Sequence, residues 1–268
     1  MPTINLNEFC NIVDDVFPKS ILISKDARLY RNILVIDTKD DQSSDETTHE
    51  SNSSLLSYSK DADTGKNILL KLIKILDDNL GPIYVKKSYA IYGNKKPWKE
   101  NKITEMQSEG LIYVTYCDEY NEPILFMSFM LTDDDDFKDD GSNVSVIYLY
   151  EIQLTGKVRN KKLGTLLMDD YLKKCGEKVK MTLGDQFVGV ELTVFSNNLA
   201  ALRFYEKLGY LLTPTSPRDK IMKLEKKITR SRSSTQNNQF IKQLLEQKIV
   251  KKPDYYLLYL PISLEAYP

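Results

Sequence analysis

Glu151 stands in an otherwise apolar run, Tyr148-Leu149-Tyr150-Glu151-Ile152-Gln153-Leu154. That run leads straight into the basic stretch Thr155-Gly156-Lys157-Val158-Arg159-Asn160-Lys161-Lys162-Leu163-Gly164. A carboxylate enclosed by apolar side chains has its pKa raised by desolvation, which suits it to general-base work. The stretch after it has a different use. A strand that enters a short basic loop and then a helix gathers unpaired amides, the helix dipole and several cations at one point. That is a site for an anion such as a pyrophosphate. The residues alone leave a plain turn with solvated lysines open as well. In a regular strand Glu151 shares a face with Ile147, Leu149 and Gln153, while Tyr148 and Tyr150 take the other face unless a bulge turns them.

Composition narrows the chemistry further. The chain has 268 residues, 41% of them apolar and 28% charged, enough for one large or two small soluble domains. Its 37 Lys and Arg against 38 Asp and Glu give a net charge of -1. No whole-chain electrostatic case for a nucleic-acid or membrane partner follows from that balance. The single histidine, His49, sits among Asp45, Glu46, Thr47, Thr48 and Glu50, the setting of a solvated loop. A Ser-His-Asp triad, a Cys-His dyad and a multi-histidine zinc site are thereby set aside, and no metal is expected. Carboxylates, tyrosines and backbone amides must carry whatever reaction occurs. Cys10, Cys117 and Cys175 are odd in number and widely spaced, as in reduced intracellular proteins. No signal peptide or membrane span is evident, so cytoplasm and nucleus are the expected locations.

The elements that position these residues are legible in outline. Asn7 to Phe17 has apolar residues at helical spacing, ended by Pro18. Tyr30 to Ile36 reads as a strand or part of a buried turn. Residues 37–66 are too polar to offset their ordering entropy and are expected as a disordered insert following an N-terminal helical extension, residues 1–36. Asn67 to Leu80 is a helix expected to close at Gly81-Pro82, and Pro97 to Gly110 another. Leu111 to Cys117 and Pro123 to Thr132 form an antiparallel hairpin about a polar turn. Asp133 to Asp140, with six Asp and one Lys, reads as a loop. Val144 to Leu154 is a strand apolar on both faces and therefore central. A helix with Leu163, Leu167, Tyr171 and Cys175 on one face follows, then strand Phe187 to Phe195 and a helix with Ala201, Phe204, Tyr205 and Leu208. Residues 218–252 are a basic insert, with 11 Lys or Arg against 3 Asp or Glu, and Tyr255 to Leu260 is a last strand. The fold class is α/β, with a mixed sheet and helices on both sides, its main domain spanning 67–268.

Two motifs now acquire a family. Arg159-Asn160-Lys161-Lys162-Leu163-Gly164 resembles the Arg/Gln-x-x-Gly-x-Gly/Ala loop of the GCN5-related N-acetyltransferase (GNAT) superfamily, with Lys162 where the first glycine is usual. Asn198-Leu199-Ala200-Ala201-Leu202-Arg203-Phe204-Tyr205 resembles that superfamily's second coenzyme segment. The resemblance implies the GNAT fold, a mostly antiparallel sheet, with acetyl-CoA as cosubstrate. It implies coenzyme contacts from Ile152, Gln153, Leu154, Arg159, Asn160, Lys161, Lys162, Leu163, Gly164, Thr165, Asn198 and Tyr205, with Tyr205 protonating the departing thiolate. The run around Glu151, together with Leu192-Thr193-Val194-Phe195, Tyr92 and Trp98-Lys99, is similar to the NatD family of histone-directed N-terminal acetyltransferases. That similarity implies Glu151 as general base, with Tyr150 beside it in catalysis. It implies a peptide site from Tyr92, Trp98, Asp133, Tyr148, Tyr150, Glu151, Thr193 and Tyr256. The implied reaction is direct transfer of acetyl to the α-amine of histone N-terminal tails of the four and two-A types, by a monomer that needs no nucleic acid or membrane. An α-amine, with a pKa of about 7.7–8.0, needs only a carboxylate's help near neutral pH. Two alternatives remain: a related enzyme acting on lysine side chains or small amines, and a non-catalytic coenzyme-binding adaptor.

Overall fold

The computed structural model describes residues 3–36, 55–58, 63–134, 137, 144–226 and 245–264. The first helix, α1 (Leu6–Val16), opens with a reciprocal cap: Glu8 N–H donates to the Asn5 side chain at 3.0 Å, and Asn5 N–H donates to the Glu8 carboxylate at 2.8 Å. Its buried stripe is Phe9, Cys10 and Val13. Strands β1 (Ser20–Ser24) and β2 (Ala27–Ile36) follow and pair antiparallel. Residues 20–36 therefore belong to the central sheet, although the sequence suggests an N-terminal extension. Arg31 on β2 fixes α1 in place. Its buried guanidinium donates to the Asp14 carbonyl at 2.9 Å, to the Phe17 carbonyl and to the Asp14 carboxylate, a cation at a helix C-terminus.

Within the stretch expected as a polar insert, Leu55–Tyr58 forms β3, parallel to β2, and residues 63–66 open the next helix. Residues 37–54 and 59–62 lie outside the described residues, as does most of the Asp run at 135–140 and the middle of the basic segment, 227–244. Helix α2 (Asp63–Tyr92) passes through Gly81 and Pro82, which the sequence reads as its end. Proline in a helix interior costs about 3 kcal/mol. Packing offsets that cost. Leu69, Leu72, Ile73, Ile75 and Leu76 before the proline and Tyr84 after it are buried in one cluster, each large apolar side chain contributing about 1.5–3 kcal/mol.

Helix α3 (Trp98–Met106) is shorter than its sequence signal. Strands β4 (Ile112–Cys117) and β5 (Pro123–Asp134) form the expected hairpin, and β5 continues through Asp133 and Asp134, which the sequence assigns to a loop. Strand β6 (Val144–Leu154) leads to α4 (Leu163–Thr165), a π-helical segment (Leu166–Leu172) and α5 (Lys173–Leu183). Then come β7 (Phe187–Phe195), α6 (Leu199–Lys207), β8 (Leu211–Leu212), β9 (Lys220–Lys226), β10 (Leu245–Lys251) and β11 (Tyr255–Pro261). Among the described residues the central order is β1-β2-β4-β5-β6-β7-β11-β8, while β9 and β10 pair with each other apart from it. Among the described residues only β2–β3 and β6–β7 are parallel, so the sheet is mixed and mostly antiparallel. Helices cover both faces. One core holds Phe9, Phe17, Ile147, Leu149, Leu167 and Cys175, and the other holds Leu72, Leu76, Tyr84, Trp98 and Phe126. The α/β class and the central place of β6 are as the sequence predicts.

Two backbone positions carry measurable consequences. At Gly189 a β-carbon would lie 2.0 Å from the Leu260 carbonyl oxygen of the paired strand β11. Gly189→Ala should lose about 3 kcal/mol in urea unfolding, since backbone atoms and not a flexible side chain would have to move. Lys162 has φ 60°, the left-handed conformation that glycine adopts freely and that costs other residues about 1–2 kcal/mol. Lys162→Gly should raise Tm by about 2–4 °C. A fall in Tm would mean that the lysine side chain contributes more than its backbone costs.

Candidate active site

The geometry of the site starts from one extra residue. Across β5 and β6, Phe126 pairs with Gln153 and Ser128 with Glu151, but the next residue, Phe129, pairs with Leu149, so Tyr150 has no partner and forms a bulge. Alternation therefore resets. Ile147 and Leu149 pack into the core under α1 and α5, whereas Tyr148, Tyr150, Glu151 and Gln153 all meet groups on the α2–α3 side. A regular strand would have set both tyrosines opposite Glu151. Pairing of β6 with β7 also stops at Leu149 and Leu192, so the edge of Tyr150–Leu154 parts from β7 and borders a cavity of about 1030 Å³.

At the floor of that cavity Glu151 is buried, 7% exposed, among three donors. Lys102 Nζ lies 2.6 Å from Oε1, Tyr84 Oη donates to Oε1 at 3.3 Å, and Gln153 Nε2 donates to Oε2 at 2.8 Å. A carboxylate has about four acceptor positions, which leaves one on Oε2 for a substrate proton or a water. Lys102 is itself 3% exposed and also binds Glu105, whose other oxygen accepts from Tyr92 Oη at 3.3 Å. Burial works against the Lys102 ammonium, but Glu151, Tyr84 and Glu105 outweigh it and hold its pKa well above the usual lysine value. Burial, then the Glu151 charge, pushes the Tyr84 hydroxyl well up. Its ring stacks on Trp98 with centroids 4.7 Å apart.

Aromatic side chains wall the cavity. Tyr148 and Tyr150 meet edge to face at 4.9 Å, and Tyr148 Oη shares a 2.6 Å hydrogen bond with Thr193 Oγ1. Burial raises the Tyr148 pKa to about 12 in spite of that bond. Tyr92, Thr193 and Tyr205 also line the space. Burial, then Glu151, pushes the Tyr205 hydroxyl up, so it is held protonated.

The basic loop and the start of α4 also border the cavity. Ile152, Gln153, Leu154, Arg159, Asn160, Lys162, Leu163, Gly164, Thr165 and Asn198 line the cavity, while Lys161 lies outside the lining. Asn160 and Lys162 are both left-handed, which turns the loop tightly into α4. The amides of Leu163, Gly164 and Thr165, the first turn, have no intrahelical acceptor. Gly164 lets this turn sit close to α6, since a β-carbon there would lie 3.3 Å from the Phe204 ring. Arg159 is partly committed: it donates to the Leu154 carbonyl at 3.1 Å and to the Asn79 side chain. Asn198 caps α6, accepting from Ala201 N–H at 3.2 Å.

Three sequence-predicted peptide contacts fall elsewhere. Trp98 is buried behind Tyr84, outside the lining. Asp133, near the end of β5, is exposed and accepts from Ser145 at 3.4 Å, also outside the lining. Tyr256 turns to the opposite face of β11, where it donates to Asp219; strand alternation gives the cavity Tyr255 and Leu257 instead. Sequence reading misses Lys102, Glu105, Tyr84 and Asn79. For the first a signal existed: Trp98, Lys102 and Met106 are one buried stripe at helical spacing, with a lysine at its centre. Tyr84 lies past Gly81-Pro82, where local propensity ends the helix, so its place on α2 has no signal in the sequence.

Residues 78–210, from the middle of α2 to just beyond α6, match the acetyltransferase (GNAT) family model. N-alpha-acetyltransferase 40 of Saccharomyces cerevisiae is 35% identical over 224 residues, covering 78% of this chain and 76% of that protein. Among solved structures, NAA60 of Arabidopsis thaliana in complex with a bisubstrate analogue is 15% identical with a TM-score of 0.35, over 68% of this chain and 93% of that one. The ribosomal-protein-S18-alanine N-acetyltransferase of Escherichia coli is 16% identical with a TM-score of 0.36, over 68% and 89%. Those two structural likenesses are too distant to bear on the assignment. The yeast relative is not, and the family match falls across the cavity itself: the chain belongs to the GNAT family of acetyltransferases and is an N-terminal acetyltransferase enzyme.

Proposed function

We propose that this enzyme moves the acetyl group of acetyl-CoA to the α-amine of histone tails of the four and two-A types, which begin Ser-Gly-Arg-Gly, with Glu151 as general base. The observation that supports the reading is the bulge at Tyr150, which turns the Glu151 carboxylate into the same cavity that the basic loop, the start of α4, Tyr148 and Tyr150 line. The loop and the helix start together suit a coenzyme pyrophosphate: a helix N-terminus, a tight left-handed loop, the cations Arg159 and Lys162, and Gly164 where a side chain would meet Phe204. The cavity is also large enough for a coenzyme arm and a peptide end together. The net negative charge of Glu105, Glu151 and Lys102 taken together supports a substrate that brings positive charge.

Acetyl-CoA, when bound, supplies a thioester whose carbonyl carbon the amine attacks, so that a C–N bond forms and the C–S bond breaks. Glu151 takes the proton that the amine loses, through the free position on Oε2, directly or by one water. Tyr205, held protonated, gives a proton to the departing sulfur. A main-chain amide on the β6 edge freed from β7 stabilises the developing oxyanion. Tyr148, Tyr150 and Thr193 hold the first residues of the peptide against that edge.

Incubating a Ser-Gly-Arg-Gly-Lys peptide with acetyl-CoA and fragmenting the product by mass spectrometry tests the reading. Acetyl on the α-amine supports it; acetyl on the lysine alone would favour a side-chain acetyltransferase, and coenzyme binding without turnover an adaptor. For the base, Glu151→Gln keeps the shape and removes the acceptor, so kcat should fall by about 10²–10⁴ while calorimetry shows coenzyme affinity unchanged. Wild-type kcat in that variant would move the base elsewhere.

A further inference from the structure

Lys102 is a buried cation that the reaction as written does not use. It occupies the centre of the Trp98–Lys102–Met106 stripe and reaches the cavity floor, 2.6 Å from Glu151. The groups around it come from four elements: Tyr84 and Tyr92 of α2, Glu105 of α3, Tyr113 of β4, and Tyr150 and Glu151 of β6. Of these only Lys102 is cationic, and its ammonium lies 5.7 Å from the centre of the Tyr84 ring. Two carboxylates and one ammonium make the floor singly negative; without Lys102 it would be doubly negative.

That difference bears on the acceptor. An α-ammonium entering a floor of two unpaired carboxylates would form an ion pair with Glu151, and the pair would hold it in its protonated, unreactive form. We propose that Lys102 is a positioning residue for acetyl transfer: it occupies the ion-pairing side of Glu151, fixes that carboxylate, and so lets the acceptor amine react as the free base. Gln153 holds the other oxygen, which leaves Oε2 aimed at the incoming proton and not at a settled cation. This inference rests on the proposed α-amine substrate and on Glu151 as base.

The test is the pH dependence of kcat, which reports the bound complex, on the Ser-Gly-Arg-Gly-Lys peptide. In the wild type, kcat should reach half its plateau within about one unit of the free α-amine's pKa of about 7.7–8.0. Lys102→Gln, which keeps a hydrogen-bond donor, should move that midpoint to higher pH by about one unit or more and lower KM for the peptide, because the ammonium form is now held. Lys102→Arg, which keeps the charge, should leave the midpoint near the wild-type value. A Gln variant slowed equally at every pH, or an Arg variant shifted as far as Gln, would assign Lys102 a structural role and overturn the proposal. If Lys102→Gln does not fold, by circular dichroism and coenzyme calorimetry, the wild-type midpoint decides: more than about one unit above the free-amine value it overturns the proposal. A wild-type enzyme that fails to acetylate the α-amine overturns the functional reading together with this one, whereas α-amine turnover with an unmoved profile overturns Lys102 alone.

Discussion

The unpaired residue at Tyr150 is the constraint on which the site depends. A β-strand gives alternate side chains to opposite faces, and β6, central and covered on both sides, would otherwise have to choose between a packed core and a polar cavity. One extra residue removes the conflict. Up to Leu149 the strand serves the core beneath α1 and α5; from Glu151 onward the same odd positions serve the cavity under α2 and α3. The bulge also coincides with the point where β7 leaves β6, so the residues that turn toward the cavity are those whose main-chain edge is exposed to it. Side-chain placement and backbone availability are consequences of one local event.

Placing a carboxylate there has a cost that the surrounding helices meet. An unpaired ion buried in protein costs several kcal/mol, and the Lys102–Glu151 pair balances it only because further donors and acceptors complete the shell: Tyr84 and Gln153 on one side, Glu105 and Tyr92 on the other. Such a network fixes geometry more than it adds stability, since an apolar pair of the same volume would fold as well or better. Its position at the floor of the cavity is what the proposed roles of Glu151 and Lys102 draw on. Ion pairs nearer the surface tie α2 to α3, Lys99 with Asp77, and to the turn before β11, Lys87 with Asp254. Each is worth little alone, yet both lie on the elements that carry Tyr84 and Lys102.

The long course of α2 is the second support. Its first half is anchored in the apolar core, while Asn79 binds Gln153 and the Leu154 carbonyl and accepts from Arg159, clamping the end of β6 and the anion loop to the helix. Past Pro82 the helix contributes Tyr84 and Tyr92. A helix that ended at Gly81 would leave Glu151 with Lys102 and Gln153 alone and the cavity without one wall. The proline is tolerated because tertiary packing outweighs the missing hydrogen bond, a balance invisible to local propensity.

Much of this protein could be read from the chain by itself. Periodicity located α1, α6, the β4–β5 hairpin and β6, because burial imposes a repeat of 3.6 or 2 wherever an element faces a core. The order of strand, basic loop and helix marked residues 155–164 as a candidate anion site, since a helix N-terminus is a local property of its own sequence. Glu151 stood out as a carboxylate in an apolar run, and Tyr205 and Asn198 by their place in the second motif. What the chain could not declare was anything set by partners distant in sequence. The bulge exists only in the register between β5 and β6. Lys102 looks like a surface lysine until Glu151, 49 positions away, is found against it. Tyr256 and Tyr255 exchange roles because β11 presents its alternate face when it pairs with β7. Local sequence determined which groups can do chemistry; pairing and packing across the fold decided which of them meet, because a side chain's direction and its charge environment belong to its neighbours in space.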